Sequence, residues 1–85
     1  MNHKIDFTTF ILSVSSAAYM GLGLVSEQEG VKPSLNLELA RHNIDLLELI
    51  FEKTKNNRNP EEDKLIDQLL FELRMRYVEI QNGKK

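Results

Sequence analysis

Residues 36–57 read NLELARHNIDLLELIFEKTKNN, the most strongly patterned segment of the chain. At about 100° per residue, its apolar side chains fall into two adjacent stripes that together cover more than half of a helix. The first stripe contains Leu37, Ala40, Ile44, Leu47 and Phe51, and the second contains Leu35, Leu39, Leu46 and Ile50. The pattern predicts a helix over residues 37–55, capped by Asn36, with more apolar surface than one neighbouring helix can cover.

The third helix has the clearest start signal in the sequence. Asn59 is placed as the N-cap, Pro60 as the first helical residue and Glu62 as the capping-box partner of Asn59. We expect this helix over residues 60–81. Because only four residues join it to the second helix, we expect the two helices to lie antiparallel.

The first helix is predicted over residues 7–22, with Asp6 as its N-cap and Gly23 in the left-handed position after its end. No charge occurs from Phe7 to Ser26. That length could span a bilayer, and the segment also fits the apolar part of a signal peptide. Its serines, threonines and glycines favour a buried soluble helix instead, covered on most sides, so we do not expect the membrane to be a partner.

Length and composition limit the classes of protein to consider. The chain has 85 residues, which predicts a single domain, residues 1–85, of a size that often needs oligomerisation for stability. It has no cysteine, which excludes disulfides and thiolate metal sites and fits a cytoplasmic location. The net charge is −2 and acids alternate with bases, so no basic stripe is available for nucleic acid. The sequence therefore predicts an all-α, antiparallel three-helix arrangement that is completed by oligomerisation.

Small or apolar residues in each helix are candidates for an interface. They comprise the small face of the first helix, the second stripe of the second helix and the far side of the third helix. The candidates are Ala17, Ala18, Gly21, Leu39, Leu46, Ile50, Phe71, Met75 and Val78. Exposed apolar patches of this kind mark contacts with other proteins. The first helix could instead cover Phe71, Met75 and Val78 within the same chain, and the sequence leaves both interpretations open.

Glu38, His42 and Asp45 are the side chains most suited to metal chemistry, because they share one face of the second helix. Metal sites in bundles draw their ligands from several helices, however, and the third helix has no histidine. We therefore predict no metal site, no cofactor and no catalytic residue, and we do not expect an enzyme. Asn43 falls within the apolar arc, where it either bonds to a neighbouring backbone group or sets the register of a dimer.

Three segments of the chain carry a family resemblance. They read DFTTFILSVSSAAYMGLG over residues 6–23, NLELARHNIDLLELIFEKTKNN over residues 36–57 and EEDKLIDQLLFELRMRYV over residues 61–78. The more specific pieces are Ala40-Arg41, Ile44-Asp45-Leu46-Leu47, Glu52-Lys53-Thr54 and Leu73-Arg74. On these segments the chain resembles the domain-of-unknown-function family 1844, whose members are small bacterial proteins. In place of the family's Gly-Asn-Leu-Thr turn it has Asn57-Arg58-Asn59-Pro60, so the apolar anchor of that turn is missing.

The resemblance implies a helical, cytoplasmic bacterial protein, and it implies no activity. The polar positions of the family motif are Arg41, Asp45, Lys53 and Arg74. Arg41 and Asp45 suit an i,i+4 pair, Lys53 suits a helix C-terminus, and Arg74 can bridge two helices. We expect a non-catalytic protein–protein interaction or assembly module, with a second copy or another protein as its partner. A small-ligand or metal-binding bundle and a membrane-associated subunit that uses the first helix are the alternatives.

Overall fold

The computed structural model of the chain describes residues 6–26 and 28–83. In these ranges it contains three helices and no strand: α1 (Phe7–Gly21), α2 (Leu37–Lys53) and α3 (Pro60–Gly83). The all-α prediction is confirmed, and each helix begins at the predicted residue. α1 ends one residue and α2 two residues earlier than predicted, whereas α3 continues two residues further.

A side-chain cap begins each helix. Asp6 and Asn36 each accept a hydrogen bond from the backbone N–H three residues later, at 2.8 and 3.1 Å. At the start of α3 the capping is reciprocal. The Asn59 side chain accepts from the Glu62 N–H at 2.8 Å, and the Glu62 carboxylate accepts from the Asn59 N–H at 2.9 Å. These contacts satisfy N–H groups that have no partner within the helix, and they fix where each helix starts.

Left-handed residues end α1 and turn the chain after α2. Gly23 has φ of 76°, and the Leu24 N–H bonds to the Tyr19 carbonyl at 3.1 Å, which is the Schellman arrangement. After α2, the Thr54 hydroxyl donates to the carbonyl four residues earlier at 2.7 Å, and Asn56 has φ of 72°. Asparagine tolerates this conformation, so the chain can turn at Asn56. α2 ends at Lys53, two residues before the predicted end at Lys55.

The core draws apolar residues from all three helices and from the residue that follows α1. It contains Ile11, Val14, Ala18, Leu22, Ala40, Ile44, Leu47, Ile66, Leu70 and Leu73. From the first predicted stripe of α2, Ala40, Ile44 and Leu47 are buried. The second stripe is half-buried or exposed. One face of each helix therefore makes the core.

α1 and α2 meet at Gly21 and Ala40. A Cβ atom added to Gly21 would lie 2.5 Å from the Ala40 backbone nitrogen, and the Asn36 N–H donates to the Gly21 carbonyl at 2.6 Å. Ala18 is fully buried one turn earlier, whereas Ala17 is half-buried. Gly21 therefore packs against α2 of the same chain, and Ala18 belongs to the core.

α1 also presents an exposed face. Phe10 and Leu12 are exposed, and so are Ser13 and Ser16. The expectation that this helix is covered on most sides is therefore wrong for a single chain, because α2 and α3 cover only the face opposite. Among the described residues, none of the helices combines the length and the apolar character needed to cross a membrane.

Arg58 anchors the turn between α2 and α3. Its side chain is only 7% exposed, and its Nη1 donates to the Phe51 carbonyl at 2.7 Å and to the Thr54 hydroxyl at 2.9 Å. Its Nη2 lies 2.7 Å from an Asp63 carboxylate oxygen in the first turn of α3. The guanidinium therefore ties both helices to the turn.

Candidate protein-binding surface

The outer face of α3, defined by Phe71, Met75 and Val78, is an exposed apolar stripe. These side chains are 65%, 44% and 50% exposed. They follow one another at intervals of four and three residues, so they lie in one line along the helix. The buried residues of the same helix point the other way. α1 does not cover the outer face. Of the two interpretations that the sequence left open, the single chain therefore shows the one in which these side chains are exposed.

Two open grooves run along the outer face. One has a volume of about 380 Å³ and is lined by Phe71, Arg74, Met75, Val78 and Glu79. The other has a volume of about 560 Å³ and is lined by Gln68, Phe71, Glu72, Met75, Arg76 and Glu79. Because Phe71, Met75 and Glu79 line both grooves, the two form one surface. It has an apolar centre and charged edges, the usual anatomy of a protein interface.

Arg74 forms the edge of the outer face that borders α2. Its Nε and Nη2 both bind one carboxylate oxygen of Glu48, each at 2.9 Å. The prediction that Arg74 bridges two helices is therefore confirmed. The pair is about half exposed, so its contribution to stability is small, on the order of 0.2–1 kcal/mol. Its main effect is to hold the guanidinium beside the apolar stripe.

Glu72 forms the edge that borders α1. It pairs with Arg76 at 3.5 Å, one turn further along α3. Burial raises the pKa of the Tyr19 hydroxyl, and the neighbouring Glu72 carboxylate raises it further. Tyr19 of α1 therefore lies beside Glu72, so the α1 edge of the outer face carries an acidic group next to a half-buried aromatic ring.

The α2–α3 seam brings together three of the four polar positions of the family motif. A groove of about 280 Å³ is lined by Arg41, Ile44, Asp45, Glu48, Arg74, Tyr77 and Val78. Arg41 lies 3.6 Å from Asp45, and its Cζ lies 5.8 Å from the centre of the Tyr77 ring. The Tyr77 side chain and then the Asp45 carboxylate raise the pKa of Arg41 above its usual value. Lys53 lies outside this cluster, in the last turn of α2.

The remaining interface candidates do not join the outer face of α3. Leu39 lines a separate groove of about 170 Å³, together with Met20 and Val31. Leu46 and Ile50 are half-buried and pack against the core. The nine candidates are therefore divided between internal packing and two separate surfaces, and only Phe71, Met75 and Val78 form a continuous exposed stripe.

The polar candidates of α2 have structural roles or lie on open surface. The Asn43 amide is 7% exposed and donates to the Leu39 carbonyl at 2.9 Å, so the interpretation as a buried amide bonded to backbone is confirmed. Glu38, His42 and Asp45 line an open groove of about 370 Å³ beside Tyr77. Within residues 6–26 and 28–83, no three His, Cys, Asp or Glu side chains are grouped closely enough to hold a metal ion.

Comparison with known proteins identifies the family. Residues 4–79 match the family described as Domain of unknown function (DUF1844). The chain belongs to this family. The match covers all of α1 and α2 and most of α3, which confirms the resemblance seen in the three sequence segments. No curated protein and no solved structure gives a significant match to the chain.

Arg58 is the residue with a structural role that sequence reasoning missed. Its position in the turn suggested only a departure from the family's pattern. The available signal was its spacing from Phe51, seven residues earlier, because a short turn brings such a pair to the same end of a helical hairpin. The partly buried stacking of a guanidinium on an aromatic ring is a recognised stabilising contact.

Proposed function

We propose that this member of the DUF1844 family is a non-catalytic protein–protein interaction module that associates through the outer face of α3. The observation that carries this proposal is the continuous exposure of Phe71, Met75 and Val78. Removing apolar surface from water contributes about 25 cal/mol per Å². A partner that covers these three side chains would therefore gain more binding free energy than a partner that covers another exposed stripe of the same length on α3.

The distribution of apolar side chains supports self-association. Among the described residues, eleven large hydrophobic side chains are exposed, against ten hydrophobic residues in the core. Small domains with so limited a core commonly gain stability from a second subunit. We therefore propose that the chain forms an oligomer at micromolar concentration. A cytoplasmic location remains an expectation from the sequence.

We also propose that α2 and α3 lie antiparallel, as the short turn between them predicts. Their contacts support this arrangement, because they occur in opposite chain order. Arg41, early in α2, lies near Tyr77, late in α3, whereas Phe51, near the end of α2, lies against the turn that begins α3. An antiparallel hairpin leaves the far side of α3 free for a partner.

Phe71→Asp tests the binding surface. Phe71 is 65% exposed, so the change removes an apolar contact with little effect on the core. Leu49→Asp is the matched control, because Leu49 is 54% exposed on α2 and does not line either groove of the outer face. We expect sedimentation velocity to show an oligomer for the wild type and for Leu49→Asp, and a monomer for Phe71→Asp.

Circular dichroism should show the same helix content for all three proteins in this comparison. A wild-type chain that sediments as a monomer across the micromolar range would contradict the proposed self-association. Equal loss of association in Phe71→Asp and Leu49→Asp would show that the outer face of α3 is not the surface responsible.

A further inference from the structure

The exposed residues of α3 have the spacing of a two-stranded coiled coil. Gln68, Phe71, Met75, Val78 and Asn82 alternate at intervals of three and four residues, which places Phe71 and Val78 at d positions and Met75 at an a position. α3 is the longest helix, with 24 residues, and it remains helical to Gly83. The residues opposite this stripe, Ile66 and Leu73 among them, are fully buried. The whole a/d stripe is therefore presented away from the core.

Beside Met75, at the centre of this stripe, the charged side chains differ in sign between the two edges. In the same register, Arg74 occupies the g position, and Glu72 and Glu79 occupy e positions. Glu48 of α2 holds Arg74 at its edge through Nε and Nη2. Nη1 takes no part in that pair, so it can donate to a second carboxylate. The edge next to α2 thus carries Arg74 and, one heptad earlier, Asp67, whereas the edge next to α1 carries Glu72 and Glu79.

The charge pattern discriminates between the two ways in which a second copy could pair with this stripe. In a parallel pair, the g residue of one helix faces the e residue five positions later in the other. Arg74 then faces Glu79 of the second copy, and the two-fold symmetry repeats this contact. In an antiparallel pair that packs the a residue Met75 against the d residue Val78 of the second copy, e positions face e positions, so Glu72 would face Glu79.

We propose that the partner of the outer face is a second copy of the chain, with the two α3 helices parallel and Arg74 paired with Glu79 of the other copy. This inference rests on the proposed function, and it adds the identity and orientation of the partner. The parallel arrangement also brings Asp67 near Glu72 of the second copy. Arg76 lies 3.5 Å from Glu72 and offsets that repulsion. The apolar stripe supplies the affinity, and the charges select the orientation.

Glu79→Arg is the substitution that separates the two orientations, because they predict opposite signs. In the parallel dimer it places two arginines together at each symmetry-related contact, so the dimer Kd should rise by roughly threefold or more. In the antiparallel dimer it replaces a Glu72–Glu79 repulsion with an attraction, so the Kd should fall. Glu52→Arg is the control, because Glu52 is exposed on α2 and lines neither groove of the outer face.

Single cysteines give a second and independent measurement, because the native chain has no cysteine. In a parallel dimer, Val78 faces Val78 of the second copy, so Val78→Cys should form a covalent dimer under mild oxidation. In an antiparallel dimer Val78 packs against Met75 of the second copy and not against its own equivalent, so Val78→Cys alone should stay monomeric on a non-reducing gel. Leu49→Cys, at a similarly exposed position on α2, should not cross-link in either case.

Each outcome is decisive. Cross-linked Val78→Cys together with weakened association of Glu79→Arg supports the proposal. If Phe71→Asp dissociates the oligomer but Glu79→Arg strengthens it or Val78→Cys fails to cross-link, the parallel arrangement is wrong and the outer face still stands as the binding surface. Cross-linking with an unchanged Kd for Glu79→Arg overturns the Arg74–Glu79 pairing. If the wild type does not associate, both the proposed self-association and this inference fail.

Discussion

The Arg58 guanidinium lies 4.4 Å from the centre of the Phe51 ring and donates to the carbonyl oxygen of the same residue at 2.7 Å. One side chain thus contacts both the ring and the backbone of Phe51. The carbonyl belongs to the last turn of α2, where backbone acceptors have no partner within the helix. The Arg58 side chain therefore satisfies a carbonyl at the end of α2 and also packs the turn against the Phe51 ring.

Arg58→Ala should lower the stability of the fold. It removes a partly buried stack, two hydrogen bonds to α2 residues and the ion pair with Asp63 from a side chain that is 7% exposed, which together should cost about 1–3 kcal/mol. Arg58→Lys keeps the charge but loses the planar group that stacks and bonds simultaneously, so it should recover only part of the loss. Urea unfolding followed by circular dichroism measures both. A stability equal to that of the wild type for Arg58→Ala would show that the anchor is dispensable.

Gly21→Ala should destabilise the contact between α1 and α2. The new Cβ would lie 2.5 Å from the Ala40 nitrogen, so the two helix backbones must separate, at a cost of about 1–3 kcal/mol. Gly83→Ala is the matched control, because a Cβ at that position meets nothing within 4 Å. Thermal melting should show a clear loss for the first variant and little change for the second. Equal melting temperatures would mean that α1 can shift without loss.

The cap of α1 should make stability depend on acid pH. Hydrogen bonding from Thr9 lowers the pKa of Asp6 below its ordinary value of 3.8. Because the folded-state pKa is the lower one, this contribution is fully present above pH 3.8. It is lost as the pH falls through the folded pKa. Asp6→Asn keeps a capping side chain but cannot titrate in this range.

The measurement for Asp6 is the difference in melting temperature between the wild type and Asp6→Asn as a function of pH. The difference cancels the titration of the other carboxylates, which both proteins share. We expect the wild type to lose its advantage over the variant as the solution is acidified below pH 3.8. A difference that does not change with pH would contradict the predicted role of the ionised carboxylate.

His42 should not confer tight metal binding. Glu38, His42 and Asp45 all come from α2 and line an open groove, so an ion bound there would receive no imidazole or carboxylate from a second helix. Calorimetric titration of the wild type with zinc should show no submicromolar site, and His42→Ala should give the same result. A submicromolar site that disappears in His42→Ala would require a metal-binding function.

The features that the sequence predicted well are those decided by a few consecutive residues. Asp6, Asn36 and Asn59 cap helices by bonding to N–H groups three residues away, so composition and spacing were sufficient to find them. The Asn43 amide also bonds within one turn, to the carbonyl four residues earlier, but the sequence had left a role in the register of a dimer open as the alternative. Hydrogen bonds of this kind join residues within one turn of a helix.

The features that the sequence could not predict depend on where separate segments meet. Arg58 looks like a solvated turn residue until the end of α2 and the start of α3 are placed on either side of it. For α1, apolar and hydroxyl-bearing residues on all sides predicted burial, yet Phe10 is exposed. A hydrophobicity pattern indicates which surfaces of a helix are apolar enough to favour burial. It does not indicate whether the same chain or another molecule buries them.

The contact between Gly21 and Ala40 also restricts how this sequence can diverge. The atoms nearest to a Cβ at position 21 are the Ala40 nitrogen and Cα, at 2.5 and 2.9 Å, and every amino acid carries both. Replacing Ala40 with glycine would therefore not make room for a side chain at position 21, and no second mutation at that site can compensate for the first. We expect relatives that keep this helix joint to retain glycine at position 21 through long divergence. Position 17 is occupied by Ala17, which lies one turn earlier and is half-buried, so we expect it to vary among small residues in the same relatives.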